Sequence, residues 1–236
     1  MSTFELNPLL LENIARVREQ VAEAAVGSGR RADDVTIVAA TKYVDANITR
    51  QVAAAGMIDL GESRPQEIWS KAPELTDLPI RWHLIGHLQR NKVRRTLPFV
   101  SLIHSIDSLR LLEELEAEAA KLAHAVSILL EVNISGDASK HGFSPAEMPL
   151  VIEAAAKLSH LKVRGMMSMA GLDTDAATAR RQFSAVRQLR DQLAPNVPSN
   201  ISLADLSMGM SGDFREAIGE GATIVRIGSS FFAGLF

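Results

Sequence analysis

The strongest constraint on the fold is a repeated alternation of short apolar runs with segments of helical periodicity. Such runs, rich in β-branched residues and bounded by polar loops, are typical of buried parallel strands linked by helices. We predict eight strands, at residues 35–41, 57–60, 80–85, 99–106, 126–134, 161–169, 201–208 and 222–227. Helices are predicted between them, at residues 45–55, 65–72, 89–96, 109–123, 144–158, 174–193 and 211–219. An additional amphipathic helix, at residues 7–26, precedes the first strand.

Eight strand–helix units indicate an α/β protein in the form of a closed (β/α)8 barrel. An open doubly wound sheet is the alternative. The barrel is preferred because the count of units is eight and because no Gly-x-Gly-x-x-Gly follows the first strand. No linker or shift in composition divides the chain, so we expect a single domain over residues 1–236, in which residues 1–30 form the N-terminal helix packed on the barrel.

The composition narrows the classes of function. Apolar residues make up 47% of the chain and its formal net charge is −3, so we expect a sizeable core and no binding to nucleic acid. The chain has no cysteine, which excludes disulfides, thiolate metal ligands and cysteine nucleophiles. We see no signal peptide and no apolar run of membrane-spanning length. These features predict a cytoplasmic protein with no membrane association.

Lys42 directly follows the first predicted strand, in the stretch Val-Thr-Ile-Val-Ala-Ala-Thr-Lys-Tyr at residues 35–43. A lysine at the end of an apolar strand is expected to be partly desolvated, which favours its neutral amine. A neutral amine can form a Schiff base with an aldehyde. The alternative interpretation is that Lys42 ends the strand and points into water.

Polar residues accumulate where the predicted strands end, which in a barrel of this kind is the catalytic rim. Small residues that follow strands seven and eight predict a phosphate site, because they let backbone N–H groups approach an anion. The candidates are Ser207, Gly209, Gly228 and Ser229. The alternative is that the glycines only permit tight turns. Arg226, on strand eight, is either one partner of a surface ion pair or an inward guanidinium that donates to a ligand.

Two further patterns predict structure rather than chemistry. His83 and His87 are four residues apart, but the strand-like stretch around His83 and the intervening Gly86 argue against a shared helix, so no metal site is expected. Three methionines near strand six are predicted to fill the barrel core: Met166, Met167 and Met169.

Eight motifs, in order along the chain, resemble the YggS/PROSC family of pyridoxal-phosphate homeostasis proteins. The resemblance spans residues 35–232. The motifs are Ala-Ala-Thr-Lys42, Gly61-Glu-Ser-Arg-Pro-Gln-Glu67, Trp82-His-Leu-Ile-Gly-His-Leu-Gln-Arg-Asn-Lys92, Ile106-Asp-Ser108, Val132-Asn-Ile-Ser135 with Ser139-Lys-His-Gly-Phe143, Arg164-Gly-Met-Met167, Leu206-Ser-Met-Gly-Met-Ser211 and Val225-Arg-Ile-Gly228.

The resemblance implies a fold-type III barrel like the N-terminal domain of alanine racemase, with pyridoxal 5′-phosphate (PLP) as the cofactor. It implies that Lys42 carries PLP as an internal aldimine and that Arg226 faces the pyridine nitrogen. Ser63 takes the position of an asparagine that the family usually has near the ring, and a serine is shorter. The remaining implied contacts are Ser207 with the Gly228 and Ser229 backbone for the phosphate, and His83 and Met208 for the pocket wall.

The function implied by the resemblance is PLP binding in intracellular vitamin B6 and amino-acid homeostasis, by a monomer that supplies PLP-dependent apo-enzymes. Strong catalysis is not expected, because an arginine at the ring nitrogen weakens the electron sink. A slow amino-acid racemase is the alternative, and it needs two bases, of which Lys42 is one. The single tyrosine, Tyr43, is on the opposite pleat if it is in the strand, so water or His83 would be the second base. A third interpretation is a barrel that uses Lys42 on a sugar phosphate. Lys140 is the next candidate if Lys42 is not the cofactor lysine.

Overall fold

A computed structural model describes residues 6–137, 141–171 and 174–235. Eight parallel strands close into a barrel in chain order, from β1 to β8, which confirms the predicted (β/α)8 fold. The strands are β1 (Thr36–Ala40), β2 (Asp59–Glu62), β3 (Arg81–Leu84), β4 (Val100–Ile106), β5 (Val126–Glu131), β6 (Leu161–Met167), β7 (Asp205–Ser207) and β8 (Ile224–Ile227). The barrel closes between β1 and β8, where Val38 lies beside Arg226.

One helix precedes the first strand, and one follows each of the strands from β1 to β7. They are α1 (Pro8–Gly27), α2 (Ala46–Ala54), α3 (Pro65–Glu74), α4 (Val93–Thr96), α5 (Leu109–Ala119), α6 (Met148–Ala155), α7 (Ala176–Leu193) and α8 (Phe214–Gly219). Side-chain oxygens of Asn7, Asp45, Ser108 and Asp175 accept backbone N–H groups at the starts of α1, α2, α5 and α7. These caps satisfy donors that a helix leaves unpaired at its first turn. None of the helices in the described part of the chain combines the length and apolar composition needed to cross a bilayer.

The core has two parts that follow from the alternation of side chains along each strand. The larger part lies between the strands and the surrounding helices and includes the apolar face of α1. The smaller part fills the inside of the barrel and contains Val38, Leu102, Leu129, Met167 and Ile224. Most strand residues that face the interior are therefore enclosed, and the rim is formed by residues at the carboxyl ends of the strands and beyond them.

The N-terminal helix is tied to the end of the chain. Asn13, buried on α1, donates through its side-chain amide to the carbonyl oxygens of Phe231 and Ala233, at 3.0 and 2.9 Å. Arg30 donates to the carbonyls of Ile218 and Ala222, both at 2.8 Å. These contacts place α1 against α8 and the segment after β8.

Two predicted boundaries are wrong for local reasons. The strand predicted at 201–208 is limited to Asp205–Ser207, because Ile201 closes a turn on the Pro198 carbonyl. The helix predicted from residue 144 begins at Met148. There the Glu147 carboxylate accepts the Ser144 N–H and hydroxyl, which forms a turn before the helix.

Candidate functional site

A cavity of about 270 Å³ opens at the rim formed by the carboxyl ends of the strands. Its volume is near the lower end of the range of roughly 300–1,000 Å³ for small-molecule sites. Five of the eight predicted cofactor residues line it, namely Lys42, Ser63, Arg226, Gly228 and Ser229. They come from the ends of β1, β2 and β8, so the barrel brings together residues that are far apart in sequence.

Lys42 lies in the turn after β1 and is exposed, not partly desolvated as expected. The chain leaves the sheet at Thr41, whose N–H still donates to the Gly61 carbonyl, and then turns, with the Val44 N–H donating to the Thr41 carbonyl. The Lys42 Nζ is 4.9 Å from the centre of the Tyr43 ring. Tyr43 is 83% exposed and lines the same cavity. It lies outside β1 and so is not on the opposite pleat of that strand.

The backbone that precedes Lys42 is held by a buried ion pair. The Lys71 Nζ donates to Glu62 Oε1 at 2.8 Å and to the Thr41 carbonyl at 3.0 Å. The Thr41 hydroxyl donates to the same Glu62 oxygen at 2.6 Å. Burial raises the pKa of the Glu62 carboxyl, although its hydrogen bonds from Lys71 and Thr41 oppose that shift. This cluster fixes the point from which Lys42 leaves the barrel.

Arg226 points inward, which excludes the surface ion pair considered from the sequence. Only 4% of the residue is exposed, and it lines the floor of the cavity. Its Nη1 donates to the carbonyl and hydroxyl oxygens of Ser207, at 2.8 and 2.7 Å, and its Nη2 donates to the Ser168 carbonyl at 3.1 Å. Burial lowers the pKa of Arg226 to about 10, so the guanidinium is charged at neutral pH.

Below Arg226, a chain of buried hydrogen bonds runs down the barrel axis. The Ser207 hydroxyl oxygen accepts a hydrogen bond from Arg226 and lies 2.8 Å from His104 Nδ1. His104 Nε2 lies 2.9 Å from His83 Nδ1, and His83 Nε2 donates to Asp59 Oδ1 at 3.0 Å. The chain joins Arg226, on the floor of the cavity, to the Asp59 carboxylate near the opposite opening of the barrel. Burial, with the positive charge of Arg226, lowers the pKa of His104 well below 6.5, so this ring is neutral.

The structure therefore places three predicted pocket residues away from the cavity wall. His83 lies inside the barrel and lines a smaller cavity at the opposite, N-terminal opening, together with Asp59 and Arg81. The hydroxyl of Ser207 is occupied by Arg226 and His104. Met208 is fully buried in the larger core. His83 and Ser207 face the inside of the barrel below Arg226, whereas Met208 packs in the larger core between the strands and the helices.

Ser211 and Gly212 occupy the part of the cavity wall that the sequence assigned to Ser207 and Gly209. The Ser211 hydroxyl accepts the Gly228 N–H at 3.2 Å, which joins the loops after β7 and β8. Gly209 serves the turn: its φ is +93°, and a Cβ there would lie 2.6 Å from Ala217 Cβ. Gly209 thus only permits a tight turn, which was the alternative considered from the sequence, whereas Gly228 lines the cavity.

Other parts of the cavity wall were not predicted from the sequence. Met166 and Met167 are buried, as expected for core residues, but Met169 is 39% exposed and lines the cavity with Met210 and Ile85. Ser211 could have been found by counting outward from the end of β7, since residues beyond a strand end can reach the rim. The single tyrosine after Lys42 was noted, but its place in a turn required the observed end of β1.

Near this rim, Glu131 ends β5 and is 5% exposed. Burial and the negative charge of Asp107 raise its pKa to about 7, while Arg226 opposes the shift. Lys140, the alternative cofactor lysine, lies outside the described residues.

The chain matches a family model described as the alanine racemase N-terminal domain over residues 12–235. It is 39% identical over 223 residues to the pyridoxal phosphate homeostasis protein of Pseudomonas aeruginosa, an alignment that covers 94% of each chain. The chain belongs to the pyridoxal phosphate homeostasis protein family. The homologue from Aquifex aeolicus is 38% identical, with 94% of this chain and 96% of that protein covered.

Solved structures of the same family share the fold. PipY of Synechococcus elongatus with PLP bound is 33% identical and superposes with a TM-score of 0.84, covering 95% of this chain and all of PipY. The PLP-free form of PipY is 35% identical, with a TM-score of 0.86 and the same coverage. In PipY, therefore, a family barrel holds the cofactor that the sequence motifs of this chain imply.

Proposed function

We propose that this member of the pyridoxal phosphate homeostasis protein family binds PLP in the rim cavity, through a Schiff base on Lys42. The observation that carries the proposal is the convergence of an exposed lysine, a buried arginine and two small-residue loops on one cavity. Lys42 supplies the amine, and Arg226 supplies a positively charged hydrogen-bond donor that is held in a fixed position. PLP supplies an aldehyde that condenses with a lysine amine.

The donors around the cavity fit the two ends of PLP. The loops after β7 and β8 contribute Ser211, Gly212, Gly228 and Ser229, which suit a phosphate group. At the other end, Arg226 lies on the floor and is held in place from below by Ser207 and the Ser168 carbonyl. In this assignment Ser211 takes the phosphate-binding role that the sequence gave to Ser207, and Ser63 lies on the wall of the cavity near the ring.

The same arginine argues for holding PLP rather than for turnover. Arg226 keeps its proton at neutral pH, because its pKa remains at about 10. A guanidinium that donates without releasing its proton leaves a facing pyridine nitrogen neutral, and a neutral ring is a poor electron sink. We expect α-deuterium exchange of L-alanine in deuterium oxide to be no faster with the PLP-loaded protein than with free PLP. Exchange well above free PLP, accompanied by D-alanine, would support the racemase alternative.

We further propose that the protein is a cytoplasmic monomer that releases PLP to PLP-dependent apo-enzymes. Exposure of Lys42 supports reversible binding, since water reaches the linkage. The test is to mix the PLP-loaded chain with an apo-enzyme and to record recovery of that enzyme's activity. Recovery should exceed that from an equal amount of Lys42→Ala protein mixed with PLP, and equal recovery would oppose a carrier role. Light scattering on a sizing column should give the mass of one chain.

The direct test of cofactor binding is optical. The wild-type protein, incubated with PLP and desalted, should keep the visible absorbance of one lysine-bound PLP per chain, and Lys42→Ala should lose it. Lys157→Ala is the matched control, because Lys157 is an exposed lysine just after α6 that forms an ion pair with Glu153 and does not line the cavity. Equal retention of absorbance by wild type and Lys42→Ala would overturn the assignment of Lys42.

A further inference from the structure

Three side chains of metal-ligand type meet at the rim, outside the cavity described above. His87 follows β3, Asp107 follows β4, and His141 lies in the segment after β5. Asp107 Oδ2 is 2.8 Å from His87 Nδ1 and 3.4 Å from His141 Nδ1. One ligand atom from each of the three residues can be chosen so that all lie within 4.8 Å of one another.

The spacing suits a small divalent ion. Tetrahedral coordination with bonds of about 2.0–2.2 Å separates neighbouring ligand atoms by roughly 3.3 Å. The two measured nitrogen–oxygen distances lie on either side of that value. The imidazole rings stack, with centroids 4.2 Å apart and planes 14° from parallel, so both Nδ1 atoms are directed to the same carboxylate oxygen.

Burial divides the cluster into a fixed part and an accessible part. The Asp107 side chain is 8% exposed, whereas those of His87 and His141 are 41% and 60% exposed. A nearly buried carboxylate is a fixed ligand, and the open histidines leave room for an ion to enter and for water to complete the coordination. Two imidazoles with one carboxylate favour Zn²⁺ and similar transition metals over Mg²⁺ or Ca²⁺, which take mainly oxygen ligands.

We propose that His87, Asp107 and His141 form a binding site for a divalent transition metal ion of the Zn²⁺ class. The ion would join the ends of β3 and β4 to the segment after β5. That segment is already attached two residues later, where Phe143 exchanges backbone hydrogen bonds with Asn133 and Glu131. A bound metal would therefore hold the β5 segment against the rim. The proposal does not depend on PLP binding, since none of the three residues lines the PLP cavity.

The test is calorimetric titration of Zn²⁺ into the full chain, without an affinity tag and after treatment with a chelator. Wild type should bind one Zn²⁺, and His87→Ala, His141→Ala and Asp107→Asn should each weaken binding at least tenfold. His124→Ala is the control, because His124 is exposed and outside the cluster, and it should bind as wild type does. Thermal unfolding without metal verifies that each variant is folded. If His87→Ala is not folded, His87→Gln replaces it.

Two results would overturn the proposal. One is wild-type binding no tighter than that of the His87→Ala/His141→Ala double variant. The other is equal loss of binding in His124→Ala and in the cluster variants, which would indicate non-specific capture by surface histidines. As an independent readout, Co²⁺ added to wild type should give the visible absorption of a tetrahedral site, and the double variant should not.

Discussion

His83 and His87 are four residues apart, yet they belong to two histidine pairs with opposite properties. His83 lies inside the barrel against His104, where both rings are buried and every ring nitrogen has a protein partner. His87 lies on the rim against His141, where both rings are open to solvent. The strand β3 ends at Leu84, between the two histidines. The end of a strand, rather than spacing in sequence, therefore decides whether a histidine supports the core or can bind a ligand.

The largest expected difference between the pairs is in stability. His104→Ala removes the hydrogen-bond partner of the Ser207 hydroxyl and of His83 Nδ1, and it leaves a cavity. Leaving two buried polar groups without this partner should lower the free energy of unfolding by about 3–4 kcal/mol. His124→Ala, at an exposed site, should change it by less than about 0.5 kcal/mol. Chemical denaturation of both variants measures the difference, and similar small losses would show that the axial chain of hydrogen bonds does not stabilise the barrel.

The Glu131 carboxyl, at the end of β5, provides a pH-dependent test of whether side chains next to the rim are desolvated. Its pKa is about 7 in the folded protein and near 4.5 in the unfolded chain, so the folded state binds more protons between these values. Wild-type stability therefore contains a contribution that is lost as pH rises from about 4.5 to 7. Relative to wild type, Glu131→Gln should gain about 2–3 kcal/mol between pH 4.5 and pH 8.

Denaturation at several pH values measures this gain, with Glu153→Gln as the control. Glu153 is an exposed glutamate on α6, and its replacement should not alter the pH dependence. A difference between Glu131→Gln and wild type that is constant with pH would mean that the Glu131 carboxyl is not desolvated.

Ser207 connects the buried histidines to Arg226, and its removal should have a smaller effect. Ser207→Ala deletes one acceptor of Arg226 and the hydrogen-bond partner of His104 Nδ1, but the Ser207 carbonyl still accepts from Arg226. We expect a loss of about 1–2 kcal/mol in the free energy of unfolding. Ser101→Ala, on the exposed face of β4, is the comparison and should lie within about 0.5 kcal/mol of wild type. If the two serine variants were equally stable, the axial chain would end at His104.

The smallest expected effect is at the rim pair. His141→Ala, without added metal, removes an exposed ring that contributes little burial. The free energy of unfolding should change by less than about 0.5 kcal/mol. Thermal or chemical unfolding in the presence of a chelator measures this. A loss as large as that of His104→Ala would contradict the view that the rim pair is available for a ligand.

The sequence predicted the fold well where the local pattern is strong. Strands β1, β3, β4 and β8 agree with their apolar runs to within two residues, since alternation with helices leaves few other arrangements. The strand at 201–208 was overestimated because apolar residues also occur in the turn closed by Ile201. Contacts such as that between Asp107 and His141 could not be predicted, because they depend on how separate strand ends meet.

The candidate site was predicted from the sequence only in part. Lys42 and Arg226 were identified as candidates from their positions at strand ends, and both line the cavity. Ser207 and His83 were assigned to the pocket, but both face the inside of the barrel below Arg226, where each contacts His104. The sequence alone does not show how deep along the barrel axis a strand residue lies. Ser211, beyond the end of β7, reaches the cavity wall.

The central claim is that the rim cavity holds PLP on Lys42. The most direct measurement is to reduce the PLP-loaded protein with borohydride, digest it and locate the modified lysine by mass spectrometry. Our account predicts a single modified peptide with the label on Lys42 and an unlabelled Lys140. A label on Lys140 or on another lysine, with Lys42 unmodified, would contradict it.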